Sequence, residues 1–190
     1  MFKKIDKTYF LPTYCINVLV LANIYVRDEY AIDIPERKEE EFLELIANQC
    51  FSSIKRCVSA YEKSPLPERF IRSQNFIVKN DLPSNIYGYY SQDDNIYFDA
   101  DAINGIRSYS SQFLFGHELG YKIQQYRDVD KCYDIISRVY DTSEQSFKRA
   151  VLSDIFGSIV SGRNEIDRYP MEEEVQNQLK LEALKSVYRV

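Results

Sequence analysis

His117 and Glu118 are the residues of this 190-residue chain best suited to chemistry. They stand in Phe113-Leu-Phe-Gly-His-Glu-Leu-Gly-Tyr-Lys-Ile123. A helical His-Glu-x-x-His word sets two imidazoles one turn apart on one face, where they hold zinc. The Glu beside them takes a proton from metal-bound water. Here the frame runs through His117, Glu118, Leu119 and Gly120, and then Tyr121 occupies the second imidazole position. His117 is the only histidine, so no other imidazole can replace it. Tyrosine ligates as phenolate, and a side-chain pKa of about 10 opposes that at neutral pH. Without metal, water keeps a pKa of about 15.7 instead of about 7, which leaves Glu118 nothing acidic enough to deprotonate. The plainer reading is structural: a lone His among Phe113, Phe115, Leu119 and Ile123 also fits a hydrogen-bonded core histidine.

The surrounding elements follow from periodicity. Glu39 to about Glu62 reads as an amphipathic helix, with Phe42, Leu45, Ile46, Gln49, Ile54, Cys57, Val58 and Tyr61 near a 3.6 period. Ser64-Pro-Leu-Pro67 ends it, because proline cannot continue the hydrogen-bond ladder. Phe70–Lys79 has the alternation of a strand. Asn85–Tyr90 and Asn95–Phe98 read as a hairpin around Ser91-Gln-Asp-Asp94. Ser110 or Ser111 is expected to cap the His117 helix. Further helices are predicted over Asp130–Tyr140, from Ser143 and Ser146 to about Val160, and over Glu172–Tyr188, with Gly162 a natural stop. Gly116 and Gly120, one turn apart, suit close packing on another element. The expected fold class is α+β, one domain over residues 1–190 with a small antiparallel sheet, an edge hairpin and several helices.

Bulk properties narrow the function. A net charge of -5 and the lack of any basic cluster denser than Lys3-Lys4 or Lys55-Arg56 argue against a nucleic-acid surface. Cys15, Cys50, Cys57 and Cys132 form no Cys-x-x-Cys pair, so buried free thiols in a reducing, cytoplasmic setting are expected and a cysteine zinc site is not. Residues 1–26 loosely mimic a signal peptide, with Lys3, Lys4 and Lys7 before an apolar run. Asn17 and Asn23 interrupt that run and no small-residue cleavage site follows. A packed strand or helix is the expectation, with a signal or anchor as the alternative; the run is too short and polar to span a bilayer. No feature specifies an oligomeric state.

Longer words resemble a known family. Tyr89-Tyr-Ser-Gln-Asp-Asp-Asn-Ile-Tyr-Phe-Asp99 is similar to the Tyr-Cys-Pro-x-Asp-x-x-Ile-Tyr-x-Asp segment of the neutral zinc metallopeptidase family of bacteria. His117-Glu-Leu-Gly-Tyr-Lys-Ile-Gln124 resembles that family's His-Glu-Val-Gly-His-His-Val-Gln. Arg149-Ala-Val-Leu-Ser-Asp-Ile-Phe-Gly157 looks like its Glu-Leu-x-Ala-Asp-Cys-x-Ala segment. The resemblance covers roughly residues 85–160, and the ImmA/IrrE-like peptidases are the second comparison. It implies a minimal zincin-like domain with His117 as first zinc ligand and Glu118 as general base. Tyr121 and Ala150 fall at two lost ligand positions, and Asp154 matches the aspartate that orients a ligating imidazole.

Those departures set the functional expectation. The chain reads as a degenerate metallopeptidase, a pseudoenzyme with no cofactor that binds a protein or peptide, for instance by pairing an extended segment with an edge strand such as Asn95–Phe98. His117, Glu118 and Asp154 should then lie together, with an imidazole–carboxylate hydrogen bond in place of metal and Tyr121 filling space and donating a hydrogen bond. One alternative is an active metallopeptidase with zinc in a non-standard site that recruits Asp154 or Glu144. The other is a structural or regulatory protein unrelated to peptidases, acting through its charged last helix, where Val175, Leu179, Leu181, Leu184 and Val187 offer an apolar face.

Overall fold

In a computed structural model, residues 2–25, 36–106, 110–163, 166 and 168–188 are described. They form a mixed five-stranded sheet and six α-helices, an α+β protein. The chain groups into two compact units: Met1–Arg56 with Arg72–Ser108, and Cys57–Ile71 with Tyr109–Val190.

The first unit holds the sheet. Residues 1–26 were expected as a strand or helix, and the described part is a hairpin of β1 (Phe2–Leu11) and β2 (Ile16–Tyr25). A 3-10 turn at Pro12–Tyr14 and a left-handed Cys15 (φ 53°) reverse the chain between them. Next come α1 (Glu36–Lys63), β3 (Asn75–Lys79), β4 (Gly88–Tyr90) and β5 (Ile96–Asp99). Strand order is β1-β2-β3-β5-β4, antiparallel at both ends and parallel for β2–β3 and β3–β5. The expected antiparallel sheet is therefore corrected to a mixed one. The intervening α1 permits β2 and β3 to run the same way, as parallel neighbours need a long crossover. Asn95–Phe98 is likewise not an edge, because β5 is flanked by β3 and β4, and the edges among the described strands are β1 and β4.

One sheet face is the core. Val18 and Val20 on β2 stand opposite Phe76 and Val78 on β3, which stand opposite Ile96 and Phe98 on β5, and all six are fully buried. Each contributes roughly 1.5–3 kcal/mol of apolar burial. Helix α1 meets this face through Tyr9, whose ring stacks on Phe51 at 4.5 Å and whose hydroxyl donates to Asn48 at 2.7 Å. The buried side of α1 carries Ala47, Cys50 and Ile54, so Phe42 and Leu45, expected inside, are 54% and 61% exposed. The predicted strand from Phe70 begins only at Asn75, since Glu68–Phe70 is a 3-10 turn and Ser73 is left-handed (φ 56°). A short α2 (Ala100–Ile103), absent from the sequence reading, follows β5 and is capped by the Asp99 carboxylate.

The second unit is helical: the end of α1, then α3 (Ser111–Tyr126), α4 (Asp130–Tyr140), α5 (Gln145–Ser161) and α6 (Glu173–Tyr188). Ser110 is the N-cap residue of α3 without a side-chain capping bond, and left-handed Gly162 (φ 67°) ends α5 as expected. Helices α3 and α5 cross at very short range. A Cβ on Gly116 would lie 2.7 Å from the Phe156 carbonyl oxygen and 2.7 Å from Val160 Cβ. One on Gly120 would lie 2.9 Å from Ser153 Cα, and one on Gly157 2.9 Å from the Phe113 oxygen. Helix α6 buries Leu179, Ala183 and Val187 within its own unit and leaves Leu181 exposed. Cys50, Cys57 and Cys132 are buried free thiols; Cys15 is exposed, against expectation, because it sits in the hairpin turn. No helix among the described residues is long and apolar enough to cross a membrane.

Candidate functional site

The site belongs to the helical unit and begins with the α3–α5 crossing. Because glycine leaves no Cβ at Gly116, Gly120 and Gly157, the two backbones approach closely enough for a short aspartate on α5 to reach an imidazole on α3. His117 Nδ1 lies 2.6 Å from Asp154 Oδ1. The imidazole side chain is 14% exposed and the carboxylate fully buried. With Asp154 accepting at Nδ1–H, the lone pair of a neutral ring falls on Nε2, the orientation a metal ligand or a general base needs.

Asp154 has a second donor. Arg168, from the segment between α5 and α6, donates its Nη2 to the same oxygen at 2.8 Å. The other oxygen, Oδ2, is buried with no hydrogen-bond partner. Sequence reasoning missed Arg168, which lies 14 residues beyond Asp154 and has no periodic or motif relation to it.

Tyr121 stands one turn beyond His117, its ring edge-on to the imidazole at 5.1 Å. Among the described residues its hydroxyl makes no hydrogen bond, so the expected donation is not seen. Arg149 places its guanidinium 5.6 Å from the Tyr121 ring centre. Burial first, then the Glu118 carboxylate, push the Tyr121 phenol above its ordinary value. A phenol raised above its ordinary value is a poorer metal ligand near neutral pH. Glu118 itself is 3% exposed, inside α3 and near enough for its charge to act on Tyr121. Ala150 lies on α5 one turn before Asp154, half-buried and without a donor atom. Glu144 is the exposed N-cap residue of α5.

The structure therefore brings His117 and Asp154 into contact and sets Tyr121 against the imidazole. A three-ligand zinc centre does not fit this donor set. Beyond His117, the positions that the resemblance implies for ligands carry a phenol pushed above its ordinary value and a methyl group. Among the described residues, no group of three or more His, Cys, Asp and Glu side chains is placed to hold a metal ion.

Other polar groups brace the crossing. Gln124 on α3 donates to Ser153 Oγ on α5 at 2.8 Å and accepts from the Tyr133 hydroxyl at 2.9 Å. The ring of Tyr169, next to Arg168, rests edge-on against Phe147 at 5.3 Å. No family model, no curated protein and no solved structure matches this chain.

Proposed function

We propose that the chain is a degenerate zinc metallopeptidase-like protein, a pseudopeptidase that acts by binding a protein or peptide. The observation that supports this reading is the His117–Asp154 contact of 2.6 Å, with the Tyr121 ring 5.1 Å from the imidazole and one helical turn further along α3. An aspartate on Nδ1 is the usual support of a zinc-bound imidazole. Here that support persists while the companion positions carry an alanine, which has no donor atom, and a tyrosine whose phenol is pushed above its ordinary value and so is a poor ligand near neutral pH. Supported chemistry without a metal leaves recognition as the use of the site. A net charge of -5 favours partners other than nucleic acid, and the three buried free thiols suit a reducing, cytoplasmic setting.

Metal content tests this, measured by mass spectrometry on protein purified without chelator, beside the double variant Tyr121→His/Ala150→Glu. The expected result is no stoichiometric metal in the natural protein and one zinc in the variant. Stoichiometric metal in the natural protein would overturn the reading in favour of an active metallopeptidase with a non-standard site. Absence from both would remove the support for metallopeptidase descent.

A further inference from the structure

Asp154 is incompletely satisfied for a fully buried carboxylate. Both of its donors, His117 Nδ1 and Arg168 Nη2, bind Oδ1, and Oδ2 has none. A carboxylate accepts on both oxygens, and a guanidinium fork matches it with two parallel hydrogen bonds. Arg168 uses one nitrogen on this carboxylate, and its side chain is 50% exposed. The groups nearby also suit a guanidinium plane, since Arg168 lies over the Tyr169 ring at 5.9 Å and Arg149 over Tyr121 at 5.6 Å.

We propose that Asp154 is a recognition site for the guanidinium side chain of a partner peptide, and that Arg168 is its intramolecular occupant. The inference rests on the peptide-binding reading above and names the side chain that the site takes. Arg168, half of whose side chain faces solvent, is the donor an incoming guanidinium would displace, one positive charge replacing another. The incoming fork gains a bond at Oδ2 that Arg168 does not make. Arg149 explains why exchange, rather than addition, is the mode, since its charge disfavours an extra cation beside Tyr121.

The lone histidine provides the test. One histidine contributes one set of imidazole ring resonances, and Nδ1 of that ring touches Asp154. Arg168→Ala would be titrated with ethylguanidinium, with a blocked pentapeptide carrying one central arginine, and with uncharged propylurea. The expected result is a saturable shift of the His117 signal with the first two and none with propylurea. The natural protein should bind about tenfold more weakly, because apparent affinity falls with the fraction of sites that Arg168 leaves open. Should Arg168→Ala fail to fold, Arg168→Gln keeps the side-chain bulk and serves the same titration. No saturable shift in the folded variant, or an equal response to propylurea, overturns the proposal. Binding of ethylguanidinium without the peptide overturns the peptide occupant. None of these outcomes depends on zinc uptake by Tyr121→His/Ala150→Glu, so the two readings fail separately.

Discussion

Asp99 and Asp154 are both buried aspartates at chain positions that the family resemblance singles out, yet the fold treats them differently. Asp99 ends β5 and turns its carboxylate onto the backbone just ahead, where Oδ1 accepts from the amides of Asp101 at 3.1 Å and Ala102 at 3.0 Å. Its capping donors are two and three residues away, so forming α2 supplies them automatically. Asp154 sits in mid-helix, where the local amides are already used. Its donors lie 37 residues back, at His117, and 14 ahead, at Arg168. A carboxylate capped by amides two and three residues on belongs to its turn. One held by donors 14 and 37 residues away, with an oxygen left over, calls for an explanation beyond local structure.

The sharpest way to break this contrast is to remove each carboxylate. Asp154→Ala should lower unfolding free energy by about 3 kcal/mol, the low end for breaking a buried ion pair, since half of Arg168 already faces solvent. Gly116→Ala attacks the frame that brings Asp154 to His117. With a Cβ 2.7 Å from a carbonyl oxygen, α5 must shift, at a cost of about 1–3 kcal/mol. It should also move the His117 ring signal, which a change confined to packing elsewhere would leave alone. Asp99→Ala should cost about 1 kcal/mol, the usual worth of a helix N-cap, and Asp99→Asn only a few tenths. Urea denaturation ranks all four variants; an Asp99→Ala loss equal to that of Asp154→Ala would erase the distinction.

The smallest expected effect concerns a third, exposed aspartate. At Asp93 partial desolvation pushes the pKa up, but it is outweighed by hydrogen bonds from Asn95 and the Tyr97 hydroxyl, which hold it at about 2. A folded value below the ordinary 3.8 means that its stabilisation is present above that pH and is lost as pH falls through about 2. Tyr97→Phe should raise the value seen by carboxyl NMR and leave the His117 signal unmoved.

Much of the helical unit was legible in the sequence. Asp130–Tyr140 begins and ends as its pattern predicts, and the stop at Gly162 follows from its left-handed backbone. The small residues at Gly116 and Gly120 announced a close crossing, with only its partner undetermined. The sheet was less legible. Alternation reports that one strand face is covered and is silent on which strand lies beside it, so parallel β2–β3–β5 pairing was read as antiparallel. The extent of α1 was read well, but its buried stripe was placed on Phe42 and Leu45 because the apolar residues there continue a 3.6 period that the sheet does not use.

The sequence by itself determined the chemical content of this protein: one imidazole, a glutamate beside it, a tyrosine four residues on, and an acidic chain with four cysteines and no Cys-x-x-Cys pair. Those are statements about residue type and spacing, which covalent order carries completely. Tertiary structure alone decided what the imidazole touches. The glycine-bared crossing of α3 and α5 brings Asp154 within 2.6 Å of His117, and Arg168, 14 residues further on, meets the same oxygen. Contacts between residues 14 and 37 positions apart depend on how elements pack, and packing follows from shape and burial summed over many residues rather than from any local pattern.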